Sequence, residues 1–324
     1  MDKHSIQSAP VGVVGLGLMG SSIVVALLVS GHRVVGVAPI PGEREKSLHY
    51  LKDLLNHAEK AGLLTNHTDS YFANVEIVED YTPLQDCKLV LECVIENLVI
   101  KQQVYHRIAQ VVSTDTIIAS NTSAIPISQL QKLVPEPSRF LGIHWAEPAY
   151  MTRFLEVTCG SETNPLVAEC VASLALEWDK EPTILNKDIR GFITNRLMYA
   201  IYREALTLVE EGHTTIGDLD KSCRYDMGSW MTIMGIFRRM DFIGVEYHLK
   251  SFQELFPQLS NRSDVPVHMK NITDKNGRGI HNLVGWYDYN QAEAKEWEAA
   301  FADFNEKLYH LAADFHTKRM ELVR

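Results

Sequence analysis

Residues 11–20, VGVVGLGLMG, decide the fold. A short β-branched run ends at Gly15, and Gly17 and Gly20 complete a GxGxxG spacing that opens an apolar helical pattern reaching Ser30. Between a strand and a helix, the first glycine of such a motif makes a tight turn and the second lets backbone approach a pyrophosphate. The third permits close helix-to-strand packing, and the helix N-terminus faces the phosphates. The same glycines would also serve an ordinary strand-to-helix turn, so the rest of the chain has to decide between the two.

Working outward, GHRVVGVA supplies a second β-branched run and closes a strand–helix–strand unit. Residues 43 to 63 are amphipathic, with Leu48, Leu51, Leu54 and Leu55 at helical spacing. Strand candidates follow at Val75 to Val78, Leu89 to Val94, Thr116 to Ser120, Arg139 to His144 and Phe154 to Thr158. Strands alternating with helices predict an α/β fold with a Rossmann-type, doubly wound parallel sheet over residues 1–187. From Asp188 the pattern turns helical, which predicts a second, all-helical C-terminal domain over 188–324. Its helices are expected at Gly191 to Glu211, Ile216 to Tyr225, Thr232 to Phe256 and Gln291 to Leu322, with 261–279 as a mobile loop.

Composition narrows the function. The 324 residues are about two domains long, and 46% hydrophobic with 22% charged residues is ordinary for a globular chain. A formal charge of -10 disfavours nucleic acid or an anionic membrane as partner. Five cysteines without CxxC spacing indicate neither a disulfide framework nor a metal knuckle, so no metal is expected. The N-terminus is polar, and the longest apolar runs are far below the roughly 18 to 20 residues that span a bilayer. A cytoplasmic protein is expected.

The second strand of a dinucleotide fold normally ends in a carboxylate that holds the adenine ribose. Here VVGVA ends in Ala38, which removes the repulsion against a 2'-phosphate and opens NADP as well as NAD. Arg44 or Lys46 would reach such a phosphate; alternatively both solvate the next helix. Lys46, Lys52 and Lys60 pose the same choice between a ligand's phosphates and a solvated face.

Further along stand ECVIENLVIK (92–101), SNTSAIPISQL (120–130), FLGIHWAEP (140–148), FLEV (154–157), GFITNRLM (191–198) and GIFRRMDFIG (235–244). In this order the chain resembles the L-3-hydroxyacyl-CoA dehydrogenase family, from about Val11 to Tyr289, including its 3-hydroxybutyryl-CoA dehydrogenase and lambda-crystallin-like branches. The resemblance implies that His144 is the catalytic histidine, that Glu156 orients it, and that Ser123 and Asn195 hold the substrate oxygen. It implies cofactor contacts from Gly15, Gly17, Leu18, Met19, Gly20, Ala38, Glu96, Lys101 and Asn121. A 3-hydroxyacyl or 3-ketoacyl substrate, CoA-linked or free, and a homodimer follow as expectations, with Trp286, Tyr287 and Tyr289 as core or dimer packing.

The chemistry has its own logic. Moving hydride from a carbinol carbon to nicotinamide requires a base for the hydroxyl proton, and an imidazole, with an ordinary pKa of about 6.5, suits that task at neutral pH. A carboxylate on its other nitrogen fixes the tautomer and stabilises the imidazolium.

One departure from the family pattern is Glu147, where asparagine is usual, three residues after His144. A carboxylate there favours the imidazolium, selects a cationic or hydroxyl-rich substrate, or pairs with Arg153. Two other functions are kept in view. A 6-phosphogluconate-type β-hydroxyacid dehydrogenase shares GLGLMG but needs a lysine that the GFITNRLMYAIYREAL helix lacks. A catalytically idle, crystallin-like dinucleotide-binding protein would keep the fold without turnover.

Overall fold

The β-branched runs pair into one sheet because each presents apolar side chains to both faces. The computed structural model describes residues 3–314 and divides between Thr194 and Asn195 into two compact units. In chain order the first unit comprises α1 (Lys3–Ser8), β1 (Val11–Val14), α2 (Leu18–Val29), β2 (Val34–Val37), α3 (Glu43–Lys60), α4 (Thr68–Phe72) and β3 (Val75–Val78). There follow β4 (Leu89–Glu92), α5 (Leu98–Val111), β5 (Ile117–Ser120), α6 (Ile127–Leu130), β6 (Phe140–Trp145), β7 (Phe154–Cys159), α7 (Pro165–Ala175) and β8 (Glu181–Leu185). The strand order is β3-β2-β1-β4-β5-β6-β7-β8. Every pairing is parallel except β6 with β7.

Alternation along the strands divides the core in two. Val11 and Val13 of β1, Leu89 and Leu91 of β4, and Ile117 and Ala119 of β5 pack with Ile23 and Leu27 of α2 on one face. Val14, Val90 and Ile118 pack with Tyr105 and Ile108 of α5 on the other. A sheet covered on both faces explains why these strands read as continuous apolar runs. Residues Gly20 through Leu28 of α2 are buried without exception. Local chemistry sets the helix starts: Asn97 and Asn164 accept backbone N–H bonds at the heads of α5 and α7.

The second unit is helical: α8 (Thr194–Glu210), α9 (Ile216–Ser222), α10 (Gly228–Met231), α11 (Ile236–Ile243), α12 (Val245–Leu255), α13 (Val267–Asp274) and α14 (Gln291–Asp314). Two expectations are corrected here. The single helix over Thr232 to Phe256 is broken at Gly244, whose φ of +121° no helix accommodates. The segment 261–279 carries α13, started by Pro266, rather than being loop throughout. The expected end of the last helix at Leu322 lies outside the described residues. No helix among the described residues is long and apolar enough to cross a membrane.

Candidate active site

The strand order turns outward from β1 in one direction and from β4 in the other, so the crevice between their C-terminal ends is the topological switch point where this architecture binds ligands. The glycine motif follows β1, and its three members behave differently. Gly15 has φ +92°, a left-handed conformation that makes the turn. A Cβ on Gly20 would lie 1.9 Å from the Gly15 carbonyl oxygen, so α2 seats against the turn only because that atom is missing. A Cβ on Gly17 would meet nothing within 4 Å and would project into open space. Gly17 caps α2 without any side-chain bond to the first-turn amides, where Leu18, Met19 and Gly20 stand. An open cradle, uncapped amides and the positive end of a helix fit the pyrophosphate of a dinucleotide.

The other side of the crevice is built on Glu92, the last residue of β4 and fully buried. Its carboxylate receives Lys101 Nζ at 2.8 and 3.0 Å, the Tyr105 hydroxyl at 2.7 Å, Ser120 Oγ at 2.7 Å and the Val94 N–H at 2.8 Å. Lys101 also lies 3.4 Å from Glu96. Glu96 accepts the Thr122 hydroxyl at 2.6 Å and the Ser123 N–H at 2.8 Å. Asn121 donates its N–H to the Glu92 carbonyl and accepts the Trp145 N–H at 3.0 Å, tying the end of β5 to that of β6. Lys101 is 1% exposed and paired with two carboxylates, Glu92 and Glu96.

Register makes the next pair. In the antiparallel β6–β7 ladder His144 stands directly opposite Glu156, and residues opposite one another share a face. A slip of one residue would set Leu155 or Val157 against the imidazole. His144 Nδ1 and Glu156 Oε2 are 3.5 Å apart, longer than a hydrogen bond, and both are buried atoms with no other hydrogen-bond partner. Glu156 is fully buried, and its Oε1 accepts the Ile193 N–H at 2.9 Å. Phe154 and Phe192 pack their rings against the imidazole, at centroid distances of 5.6 and 6.0 Å. Sequence reasoning missed Phe192 and Ile193, although GFITNR contains both; nothing in that string shows that its backbone reaches Glu156. The same approach is anchored by Asp188, which accepts from the Ser128 N–H and hydroxyl, both at 2.7 Å.

Of the remaining expected residues, Ser123 is exposed on the loop after β5, beside Glu96. Asn195 lies in the second unit, in the first turn of α8. Ala38 is fully buried at the end of β2, and the nearby Arg44 Nε donates to the Ile77 carbonyl at 2.8 Å. The expected ion pair between Glu147 and Arg153 is not formed: Arg153 binds Asp179 at 2.7 Å. Glu147 acts instead on two phenols. Burial is the main cause that raises the pKa of Tyr50 and of Tyr150, and the Glu147 charge adds to both. Partial burial raises the Glu147 carboxyl in turn.

Comparison with known proteins follows these features. Residues 10–189 match the family model "3-hydroxyacyl-CoA dehydrogenase, NAD binding domain", and residues 191–289 match its C-terminal domain. The chain is 31% identical to a 5-formyl-3-hydroxy-2-methylpyridine 4-carboxylate 5-dehydrogenase of Mesorhizobium japonicum, over 89% of this chain and 93% of that protein. It is 26% identical to an L-carnitine dehydrogenase of Oceanobacillus iheyensis, over 94% and 98% respectively. A crystal structure of 5-formyl-3-hydroxy-2-methylpyridine 4-carboxylic acid 5-dehydrogenase, described as an NAD+ dependent dismutase, superposes with a TM-score of 0.87 at 28% identity. It covers 94% of this chain and 98% of its own.

Proposed function

The chain belongs to the 3-hydroxyacyl-CoA dehydrogenase family, and from that premise we propose that it interconverts an L-3-hydroxy substrate and its 3-keto form, with His144 carrying the proton. It is a dehydrogenase that acts on a CH–OH group with NAD. The observation that carries the finer reading is the β6–β7 register, which sets a buried carboxylate against one nitrogen of a partly accessible imidazole.

The bound nicotinamide supplies the hydride acceptor or donor; the chain's own residues do the rest. Gly15, Gly17 and Gly20 with the head of α2 hold the pyrophosphate, while Glu96 and Asn121 shape the crevice wall that Lys101 braces. His144 Nε2 takes the hydroxyl proton in oxidation and returns it in reduction. Glu156 keeps Nδ1 protonated and offsets the charge that forms on the ring. Ser123 and Asn195 hydrogen-bond the substrate oxygen.

Two finer points accompany this reading. Ala38 leaves no carboxylate to exclude a 2'-phosphate, and Arg44 is fastened to β3 close by, so NADP is accepted alongside NAD. Homodimerisation is supported by the second unit, where none of the described side chains of α8 through α13 is buried. Phe237, Phe242 and Tyr247 are 80%, 72% and 65% exposed, more apolar surface than a monomer usually leaves to water.

The test is to titrate NADH and NADPH into the protein by nicotinamide fluorescence, then to follow absorbance of the reduced cofactor with acetoacetyl-CoA and with free 3-keto acids. Oxidation that is lost in His144→Ala supports the assignment. Tight binding with no oxidation of any 3-keto compound would instead support the idle, crystallin-like reading. Ala38→Asp should weaken NADPH more than NADH, and light scattering should give twice the chain mass.

A further inference from the structure

The wall of the dinucleotide crevice is charged, and its charges do not balance. Fully buried Glu92 accepts at every contact, as an ionised carboxylate does: from Lys101 Nζ on both oxygens, from the Tyr105 and Ser120 hydroxyls and from the Val94 N–H. The exposed Glu96 lies 3.4 Å from the same Nζ. Two carboxylates therefore share one ammonium.

No second cation stands at the strand ends on this side of the crevice. Residues 15–20, 92–101, 120–125 and 144–149 contain Lys101 and no other lysine or arginine. Arg44 is on the opposite side of β1, where it donates to the Ile77 carbonyl of β3. Glu147, exposed after β6, and Glu156, buried on β7, carry the same sign as the unbalanced carboxylate.

Strand order fixes which part of a dinucleotide meets this charge. With the pyrophosphate at the head of α2, after β1, and the reacting carbon at His144 on β6, the nicotinamide half crosses the ends of β4 and β5, which lie between them. Three strand spacings make that span about 14 Å. Nicotinamide is a cation when oxidised and neutral when reduced, so a fixed negative charge along its path acts on the two forms unequally.

We propose that Glu92, Lys101 and Glu96 tune the bound cofactor: their one unbalanced negative charge strengthens NAD+ binding relative to NADH, which makes bound NADH the stronger hydride donor. In reduction the hydride carries both electrons from nicotinamide carbon 4 to the keto carbon, and His144 Nε2 gives the oxygen its proton. The ring then bears the positive charge that the cluster favours. The inference rests on the cofactor placement and the dehydrogenase reading above.

The experiment takes the ratio of two dissociation constants in the full-length protein at fixed pH, NAD+ by calorimetry and NADH by nicotinamide fluorescence. A lost hydrogen bond or a loosened crevice weakens both forms alike and cancels in Kd(NAD+)/Kd(NADH); a lost charge does not. Glu96→Gln and Glu92→Gln each leave the ammonium matched by a single carboxylate. The ratio should rise at least about threefold in both, equivalent to about 14 mV for a two-electron couple. The double variant of Glu92→Gln with Lys101→Met restores the single negative charge and should return the ratio to within about twofold of the parent. Added salt should raise the ratio in the parent and move it less in Glu96→Gln, a comparison that needs no buried substitution.

An unchanged ratio in Glu96→Gln, whose side chain is exposed, overturns the proposal whatever the buried variants do, and leaves the dehydrogenase reading standing. A ratio that rises in the double variant as it does in the single ones also overturns it, because the effect is then one of packing and not of charge. If the parent binds neither dinucleotide, both readings fall. The expected ratios with no hydride transfer to or from any 3-hydroxy or 3-keto compound support the role of the cluster and overturn the dehydrogenase reading.

Discussion

Gly17→Ala and Gly20→Ala differ by three positions and should fail in opposite ways. At Gly20 the new Cβ starts 1.9 Å from the Gly15 carbonyl oxygen, where a normal contact needs at least 3.4 Å. Either α2 or the turn must give way by more than 1 Å, and neither end is a flexible side chain. Overpacking of that kind costs about 1–3 kcal/mol, and at roughly 2–4 °C per kcal/mol the melting temperature should fall by about 2–12 °C. At Gly17 the backbone is at φ -71° and the Cβ meets nothing within 4 Å. Stability should therefore stay within about 0.5 kcal/mol. The same methyl occupies the cradle assigned to the pyrophosphate, so NADH affinity should drop at least about tenfold, or 1.4 kcal/mol. Differential scanning fluorimetry without cofactor and a nicotinamide fluorescence titration read the two effects separately. Unchanged NADH binding by Gly17→Ala would refute the assignment of the crevice. An unshifted melting temperature for Gly20→Ala would refute the packing account of the third glycine.

Three further outcomes follow from the buried groups. Glu156→Gln keeps an acceptor for the Ile193 N–H but turns a donor toward Nδ1, so kcat should fall by about 10²–10⁴ with NADH binding intact, as stopped-flow and fluorescence would show. Lys101→Met leaves the Glu92 charge buried with only neutral donors and should cost about 3–5 kcal/mol by urea denaturation. The double variant with Glu92→Gln should lose less than the sum of the single losses. Burial lowers the Lys180 pKa from 10.5 to about 7. Below about pH 7 this lysine is charged in both folded and unfolded chains. Above it the folded chain holds fewer protons, so its contribution to stability rises by about 1.4 kcal/mol per pH unit until about pH 10.5. Lys180→Met should remove that rise, and a stability difference from the parent that is flat between pH 6 and 9 would contradict it.

The glycine motif was legible because each glycine answers a demand made within a few residues, a turn, an approach or a contact. His144 and Glu156 were legible only through resemblance, since a spacing of twelve says nothing until β7 runs antiparallel to β6. An apolar strand has the same periodicity in either direction, so the reversal left no trace in the pattern. Gly244 lies within an amphipathic run, and only its positive φ shows that the chain turns there. In 261–279 the polar residues that signal a loop flank a helix started by Pro266. Resemblance alone puts Lys101 among the cofactor contacts, and nothing in the ECVIENLVIK string shows that its ammonium is buried against Glu92. For Arg153 the sequence offers Glu147, whereas Asp179, on the far side of α7, holds it.

The chain leaves the α/β unit by way of its own candidate catalytic pair. Asp188 is fastened to Ser128, Phe192 fills the space beside the imidazole, and the Ile193 amide occupies one oxygen of Glu156. The six residues from Asp188 to Ile193 therefore belong to the nucleotide-binding half in everything but appearance. A fragment stopped at Lys187, where the helical composition begins, would keep every strand of the sheet yet leave a buried carboxylate oxygen without its donor and a hole against His144. Anyone transplanting this half onto another helical partner has to carry the exit segment with it, because the junction packs directly on the proposed acid–base pair.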